Sequence, residues 1–148
     1  MTNQRPIKTI MRLVGCMLLS FILTGCAHRA QSNPQSNYDS FLEAEQRWFE
    51  LLFEDNMEGA LEMVSDNYGS EAYTDKAALA KYMKLIQGNK MLTRETLDRS
   101  QVKIDFNDTT ANAGPYLLSA HGFSFSFSLD YTLEDADWKI TGMNWAKQ

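Results

Sequence analysis

The sequence predicts an α+β domain in which three N-terminal helices pack on a curved antiparallel sheet. Up to Lys90, apolar residues recur at helical spacing. After Lys90 they alternate with polar residues, which is the period of a strand with one buried face. Helices that precede a meander of strands, instead of alternating with them, are typical of α+β domains with helices on one side of the sheet.

The first helix is predicted from a capping box and a buried stripe. Ser40-Phe41-Leu42-Glu43 places a hydroxyl and a carboxylate at the spacing that satisfies the first free backbone N–H groups of a helix. A helix of about four turns should therefore begin here. The apolar residues that share one side of it are Phe41, Ala44, Trp48, Leu51 and Leu52.

Two further helices are predicted before the sheet. Asn56 should cap the second helix, MEGALEMV, because a short side-chain oxygen can accept from a free N–H group at a helix start. Thr74 or Asp75 should cap the third helix, KAALAKYMKLIQ, by the same chemistry. Gly88 should end that helix, since glycine is the residue most often found just past a helix C-terminus.

Four antiparallel strands are predicted in the second half of the chain. The first contains Val102 to Phe106, and the last runs from Trp138 to Trp145, with a bulge at Gly142. The second, residues 111–120, contains Gly114-Pro115, which predicts a bulge or an edge position. The third, FSFSFSLDYTL, has two unlike faces. One face carries Phe123, Phe125, Phe127, Leu129 and Tyr131, and the other carries Ser124, Ser126, Ser128 and Asp130.

The first 26 residues predict export and membrane attachment. Residues 1–12 carry three basic residues and no acidic one, and residues 13–23 are apolar apart from Gly15 and Ser20. This apolar stretch is shorter than the roughly 20 residues that a membrane-spanning helix needs, and the pattern is that of a secretory signal. Leu23-Thr24-Gly25-Cys26 resembles the bacterial lipobox. That resemblance implies cleavage before Cys26, diacylation of its thiol and, with Ala27 in the next position, sorting to the outer membrane.

The predicted chain therefore has three parts. Residues 1–25 are the lipoprotein signal peptide, residues 26–37 are the lipidated N-terminus and a flexible tether, and residues 38–148 are the folded domain. Cys16 would leave with the signal and Cys26 would be blocked by acylation, so we expect no disulfide and no thiolate nucleophile. The formal net charge of −5 argues against nucleic acid as a partner.

The element order resembles the nuclear-transport-factor-2-like superfamily, which includes ketosteroid isomerases and SnoaL-type polyketide cyclases. The segment RWFELLFEDNMEGALEMVSDNY and the closing strand DWKITGMNW carry the resemblance. It implies a cone-shaped, curved sheet around helices, often with a ligand pocket at the open end. On an ungapped match, the tyrosine of the isomerases falls on Trp48, their base falls near Ala72 and their second acid falls on Asp130. Isomerase chemistry needs all three groups, so we do not expect it.

Two exclusive arrangements of the third strand follow, because side chains alternate between the faces of a sheet. In the first, Ser126, Ser128 and Asp130 point into the cone beside Trp48 and form a polar ligand site, while the phenylalanine row faces a second copy of the chain. In the second, the phenylalanine row packs on the helices and the serine row faces solvent. Burial of a phenylalanine stabilises by roughly 1.5–3 kcal/mol, which favours the second arrangement.

The functional expectation is an envelope lipoprotein, attached to the membrane through acyl chains on Cys26. Its domain is expected to be a non-enzymatic binding module for a small apolar ligand or an envelope protein, with no cofactor. The alternative is a SnoaL-like enzyme that uses Asp130 as an acid or base on a hydrophobic substrate. A homodimer formed through the sheet is a further alternative. His121 has no second ligand at metal spacing, so no metal site is expected, and we place His121 at a strand end.

Overall fold

The computed structural model describes residues 34–145, which form three helices and a five-stranded antiparallel sheet. The predicted signal peptide, Cys26 and the tether as far as residue 33 lie outside the described residues. Within residues 34–145, no helix combines the length and apolar character needed to cross a bilayer.

The helices are α1 (Pro34–Phe53), α2 (Met57–Glu62) and α3 (Lys76–Gly88). Both predicted caps are confirmed. The Asn56 side chain accepts a hydrogen bond from the backbone N–H of Gly59 at 3.0 Å. The Asp75 side chain accepts one from the backbone N–H of Ala78 at 2.8 Å. These caps could be predicted because each acts within one turn of its own helix.

The start of α1 differs from the prediction. The helix begins at Pro34 and not at Ser40, so residues 34–37, which we assigned to the tether, are helical. Proline is well suited to the first turn, where its missing N–H group costs nothing. Contacts distant in sequence hold this turn against the sheet. The Trp138 indole N–H lies 3.2 Å from the carbonyl oxygen of Asn37, and the Asn37 side chain donates to the carbonyl oxygen of Asp108 at 3.1 Å.

The strands are β1 (Leu97–Asp98), β2 (Lys103–Asn107), β3 (Thr110–Ala120), β4 (Phe123–Glu134) and β5 (Asp137–Trp145). β3, β4 and β5 form a meander, and β1 and β2 both pair with β3 along its other edge. β1 was not predicted, because two residues are too few to show an alternating pattern.

Both predicted bulges are present. The pairing of β3 with β4 shifts register between Ala113 and Tyr116, around Gly114-Pro115. The pairing of β4 with β5 shifts next to Gly142. A side chain could not replace the hydrogen of Gly114, because a Cβ atom there would lie 2.6 Å from Cβ of Ser128. Bulges of this kind bend a strand and increase its twist, so they account for the curvature of the sheet.

The core lies between the helices and one face of the sheet. On β4, Phe127, Leu129 and Tyr131 are all less than 5% exposed. Phe41 of α1 packs edge-on against Tyr131, with 5.2 Å between ring centroids. Phe49 of α1 packs against Tyr116 of β3 at 4.9 Å. The second of the two predicted arrangements is therefore the one observed, and the apolar row of β4 faces the helices.

Candidate functional site

A cavity of about 300 Å³ lies between the C-terminal half of α1, the helix α3 and the helix-facing side of the sheet. Its deepest side chains are almost fully buried, and all of them are apolar or aromatic in character. They come from α1, α3, β3, β4 and β5: Trp48, Leu52, Met83, Leu118, Phe127 and Met143. The floor of the cavity is thus built by the same residues that connect the helices to the sheet.

Polar side chains lie at the rim of the cavity and link the segments that form it. The Gln87 side chain of α3 donates to the Asp55 carboxylate at 3.0 Å, next to the end of α1. The Arg94 guanidinium donates to both carboxylate oxygens of Glu50 and lies 5.0 Å from the ring centroid of Phe53. The hydrogen bond from Arg94 lowers the pKa of the Glu50 carboxyl. These contacts fix the loop after α3 against α1.

Aromatic rings form one side of the cavity. Trp145 packs edge-on against Tyr82 of α3 with centroids 5.9 Å apart and against Phe125 of β4 at 5.0 Å. Tyr82 also stacks on Tyr73 at 4.7 Å. Burial raises the pKa of the Tyr82 hydroxyl, so this group is neutral at physiological pH. The side wall therefore offers ring faces and edges without a charge.

Trp48 is the one predicted site residue that lines the cavity. Its side chain is 1% exposed, and among residues 34–145 its indole N–H has no hydrogen-bond acceptor. An unpaired buried donor of this kind is uncommon, because more than about nine in ten buried polar groups in proteins have a partner.

Ser126, Ser128 and Asp130 do not line the cavity. They alternate with Phe127 and Leu129 along β4, so they lie on the opposite face of the sheet. The Asp130 carboxylate accepts a hydrogen bond at 2.6 Å from each of two side chains on the neighbouring strands, Asn112 and Asn144. The four predicted pocket residues are therefore not one site: Trp48 is separated from the other three by the sheet itself.

A buried polar cluster was missed by the sequence analysis. Glu45 of α1 is only 4% exposed, and the Tyr116 hydroxyl donates to its Oε1 at 2.7 Å. Arg99 donates to the second carboxylate oxygen. Burial and the adjacent carboxylate raise the pKa of the Tyr116 hydroxyl far above its usual value. The spacing of Glu45 in the sequence could have revealed it. Glu45 is four residues after Phe41 and three before Trp48, which puts it on the buried stripe of the helix.

His121 lies in the hairpin turn between β3 and β4, at the strand end where it was predicted. Its Nε2 is 3.0 Å from the carbonyl oxygen of Asn89, just after α3. In the part of the chain that the structure describes, no group of three or more histidine, cysteine, aspartate or glutamate residues has a metal-binding arrangement.

Comparison with known proteins identifies the fold. No family model and no curated protein matches the sequence. Solved structures do match. An NTF2-like protein of unknown function from Pseudomonas putida superposes with a TM-score of 0.59 at 13% identity, over 74% of this chain and 85% of that one. The chain has an NTF2-like, cystatin-like fold.

Two other solved structures illustrate the range of this fold. A protein of unknown function with a cystatin-like fold from Nostoc punctiforme has a TM-score of 0.54 and 11% identity, over 73% of this chain and 88% of that one. A candidate scytalone dehydratase from Novosphingobium aromaticivorans has a TM-score of 0.53 and 14% identity, over 75% of this chain and 83% of that one. The predicted α+β class is confirmed. At such identities the NTF2-like fold is all that transfers, because one fold hosts many chemistries.

Tyr116 and Tyr131 provide a matched test of the buried polar cluster of Glu45, Tyr116 and Arg99. Tyr116→Phe should lower the free energy of unfolding by about 1–3 kcal/mol, because it leaves a buried Glu45 oxygen without its donor. Tyr131→Phe should cost less than Tyr116→Phe, since the Tyr131 hydroxyl makes no hydrogen bond of normal geometry within residues 34–145 and interacts with Tyr116 only electrostatically. Urea unfolding of both variants measures the difference. Equal losses in the two variants would contradict this assignment of the hydrogen bonds.

Proposed function

We propose that this domain binds a small, largely apolar molecule in the cavity between α1, α3 and the sheet, and that acyl chains on Cys26 hold the chain at the cell envelope. The observation that carries the binding role is the cavity itself. It is a cleft of about 300 Å³ whose deepest side chains are apolar and almost fully buried, and small-molecule sites are usually clefts lined in this way.

The size and chemistry of the cavity support a small ligand. Binding pockets for small molecules span about 300–1,000 Å³ and are lined mainly by apolar and aromatic side chains. This cavity is at the lower end of that range. Its charged residues are confined to the rim, where Lys90 and Arg94 are exposed. A bound ligand would therefore make mainly apolar contacts and few polar ones.

A binding role is preferred to an enzyme that uses Asp130. An acid or base must come within hydrogen-bond distance of the reacting atoms, and the Asp130 carboxylate lies across the sheet from the cavity. Both of its oxygens already accept hydrogen bonds from Asn112 and Asn144. The similarity to a candidate scytalone dehydratase extends to the fold and supplies no catalytic residue here.

The envelope role rests on the sequence alone. The lipobox resemblance at Leu23 to Cys26 supports acylation, and two or more acyl chains anchor a protein stably where a single chain holds it only reversibly. The alanine that follows Cys26, Ala27, supports the outer membrane as the destination.

A cavity-filling variant tests the binding role. We expect native mass spectrometry of the full chain, purified from host membranes, to show a bound small molecule. Leu52→Trp should abolish this complex, because Leu52 is 5% exposed and lines the cavity. Leu85→Trp is the matched control and should keep the complex, because Leu85 is 60% exposed.

Thermal unfolding would check that both variants are folded. A bound molecule that survives in Leu52→Trp would contradict the assignment of the site. A wild-type chain that carries only a protein partner, or a second copy of itself, would contradict a small-molecule role.

Metabolic labelling with an alkyne-tagged palmitate tests the anchor. The wild-type chain should be labelled and should pellet with membranes, and Cys26→Ser should lose the label completely. Cys16→Ser is the matched control and should stay labelled, since residue 16 lies within the predicted signal. An unlabelled wild-type chain, or a labelled Cys26→Ser variant, would overturn the proposed attachment.

A further inference from the structure

We propose that the domain docks on the surface of a bilayer that contains anionic lipids, with Leu85, Phe123 and Trp145 inserted among the headgroups at the mouth of the cavity. Such docking goes beyond the proposed function, in which acyl chains on Cys26 alone hold the chain at the membrane. It also gives the domain an orientation, because the cavity then opens toward the lipid. It does not depend on which molecule the cavity binds.

Three large apolar side chains are exposed in the part of the chain that the structure describes. Phe123 is 70% exposed, Leu85 is 60% exposed and Trp145 is 38% exposed. Exposed apolar side chains that form one patch mark contact sites for proteins or membranes, whereas isolated ones are normal. The positions of the three relative to one another therefore decide whether they mark such a site.

Ring contacts join the three into one patch at the cavity mouth. Trp145 lies between Phe125 and Tyr82, with centroid distances of 5.0 and 5.9 Å, and all three line the cavity. Phe123 is two residues before Phe125 and shares its face of β4. Leu85 is three residues after Tyr82, so the two are neighbours on the surface of α3. The patch thus continues outward from the cavity.

Hydrogen bonds hold the β3–β4 hairpin beside the end of α3. Nε2 of His121, two residues before Phe123, lies 3.0 Å from the carbonyl oxygen of Asn89. The Asn89 side chain in turn donates to the carbonyl oxygen of Leu85 at 2.8 Å. Leu85 and Phe123 therefore belong to segments that contact each other.

Lysine side chains flank the patch. Residues 76–94, which contain α3 and the loop after it, include five lysine or arginine residues and no acidic one, although the formal net charge of the chain is −5. Lys81, Lys84 and Lys90 are exposed, and within the described residues no carboxylate forms an ion pair with them. Cations in this position attract a surface of anionic lipid headgroups.

The acidic residues of the sheet lie at its other end. Thr110 of β3 pairs with Thr132 of β4, whereas Ala120 pairs with Phe123. The β2–β3 and β4–β5 turns are therefore at one end of the sheet and the apolar patch is at the opposite end. An orientation with the patch on an anionic bilayer keeps the acidic turns away from it. The acidic residues in or beside the two turns are Asp105, Asp108, Glu134, Asp135 and Asp137.

The combination of apolar side chains with lysine favours lipid over a protein partner. Protein–protein interfaces are depleted in lysine, whereas membrane-surface elements combine tryptophan, phenylalanine and leucine with lysine and arginine. Trp145 suits the headgroup region, because its ring is apolar and its indole N–H is polar. The charged residues that line the cavity sum to zero, so the mouth itself does not repel anionic lipid. They are Asp55, Lys90, Arg94 and Glu95.

The proposed anchor leaves enough chain for this orientation. The 20 residues of α1 make a helix about 30 Å long, and its C-terminal half lines the cavity. The chain from Cys26 to Pro34 can span at most about 28 Å. With α1 at a slant to the bilayer, Cys26 can therefore be acylated in the lipid while the patch rests on the surface.

Tryptophan fluorescence tests the docking, because two of the three tryptophans in the chain are buried. Trp48 is 1% exposed and Trp138 is 4% exposed, so Trp145 is the one that lipid can reach. The acylated full chain, purified from host membranes, would be placed in phosphatidylglycerol–phosphatidylcholine nanodiscs with brominated acyl chains, since bromine quenches tryptophan on contact. Compared with unbrominated nanodiscs, the emission should be partly quenched. In Trp145→Phe the quenched part should be lost.

Moving the exposed tryptophan along the sheet gives the matched control. Trp145→Phe/Phe123→Trp keeps a tryptophan in the patch, and Trp145→Phe/Thr109→Trp puts one at the exposed β2–β3 turn. The bromine should quench the first variant and not the second. Quenching of both, of neither, or of the second alone would overturn the docking.

Removal of one cation tests the preference for anionic lipid. At an ionic strength where the wild-type chain is half docked, the ratio of docked to undocked chains should fall about fivefold in Lys84→Gln, because one cation near such a surface contributes about that factor. Lys103→Gln is the matched control, exposed on β2, and should leave the ratio unchanged. An unchanged ratio in Lys84→Gln would overturn the assignment of an anionic surface.

Failure of the docking and failure of the anchor give different results. If acyl chains hold the chain in nanodiscs and the patch tryptophans are not quenched, the anchor stands and the docking is wrong. If the chain carries no acyl group, vesicles of the same brominated lipids would be added to it in solution. The patch alone should then give the same pattern of quenching, and its absence would overturn the docking. A second copy of the chain that covers the patch would also leave the tryptophans unquenched.

Discussion

The structure depends on one constraint, the strict alternation of side chains along β4. Because Phe127, Leu129 and Tyr131 pack against the helices, every second residue between and beside them must face the other way. The apolar row of β4 therefore packs with Phe41 and Phe49 of α1 in the core, and the serine row lies on the other face of the sheet. The carboxylate of Asp130, the candidate acid or base in the sequence, therefore lies across the sheet from the cavity.

Burial along β4 also explains where the cavity lies. Tyr131 and Leu129 are at most 1% exposed, Phe127 is 4% exposed, and Phe125 is half-buried. Phe123, at the β3–β4 hairpin, is 70% exposed. Packing on the helices is thus dense at the C-terminal end of the strand and opens toward the hairpin. The cavity occupies this transition, where aromatic side chains still form a wall but no longer fill the space between the layers.

Features set by local chemistry could be predicted from the sequence, and features set by distant contacts could not. The Asn56 and Asp75 caps and the Gly142 bulge depend on residues within a few positions of one another. The start of α1 at Pro34 depends on contacts with the sheet that lie far away in sequence. Glu45 was missed because a charged residue is expected at the surface, whereas here it is held in the core by a tyrosine and an arginine. Trp48 was predicted as a site residue, but its unpaired N–H could be found only from the packing around it.

The binding role depends on an apolar cavity on the helix-facing side of the sheet. A crystal structure determined under xenon pressure tests this most directly, because xenon enters apolar cavities that water leaves empty. We expect xenon density between Trp48 and Phe127, with the serine row of β4 on the far side of the sheet. Side chains that fill this space and exclude xenon, or a sheet whose serine row faces the helices, would contradict it.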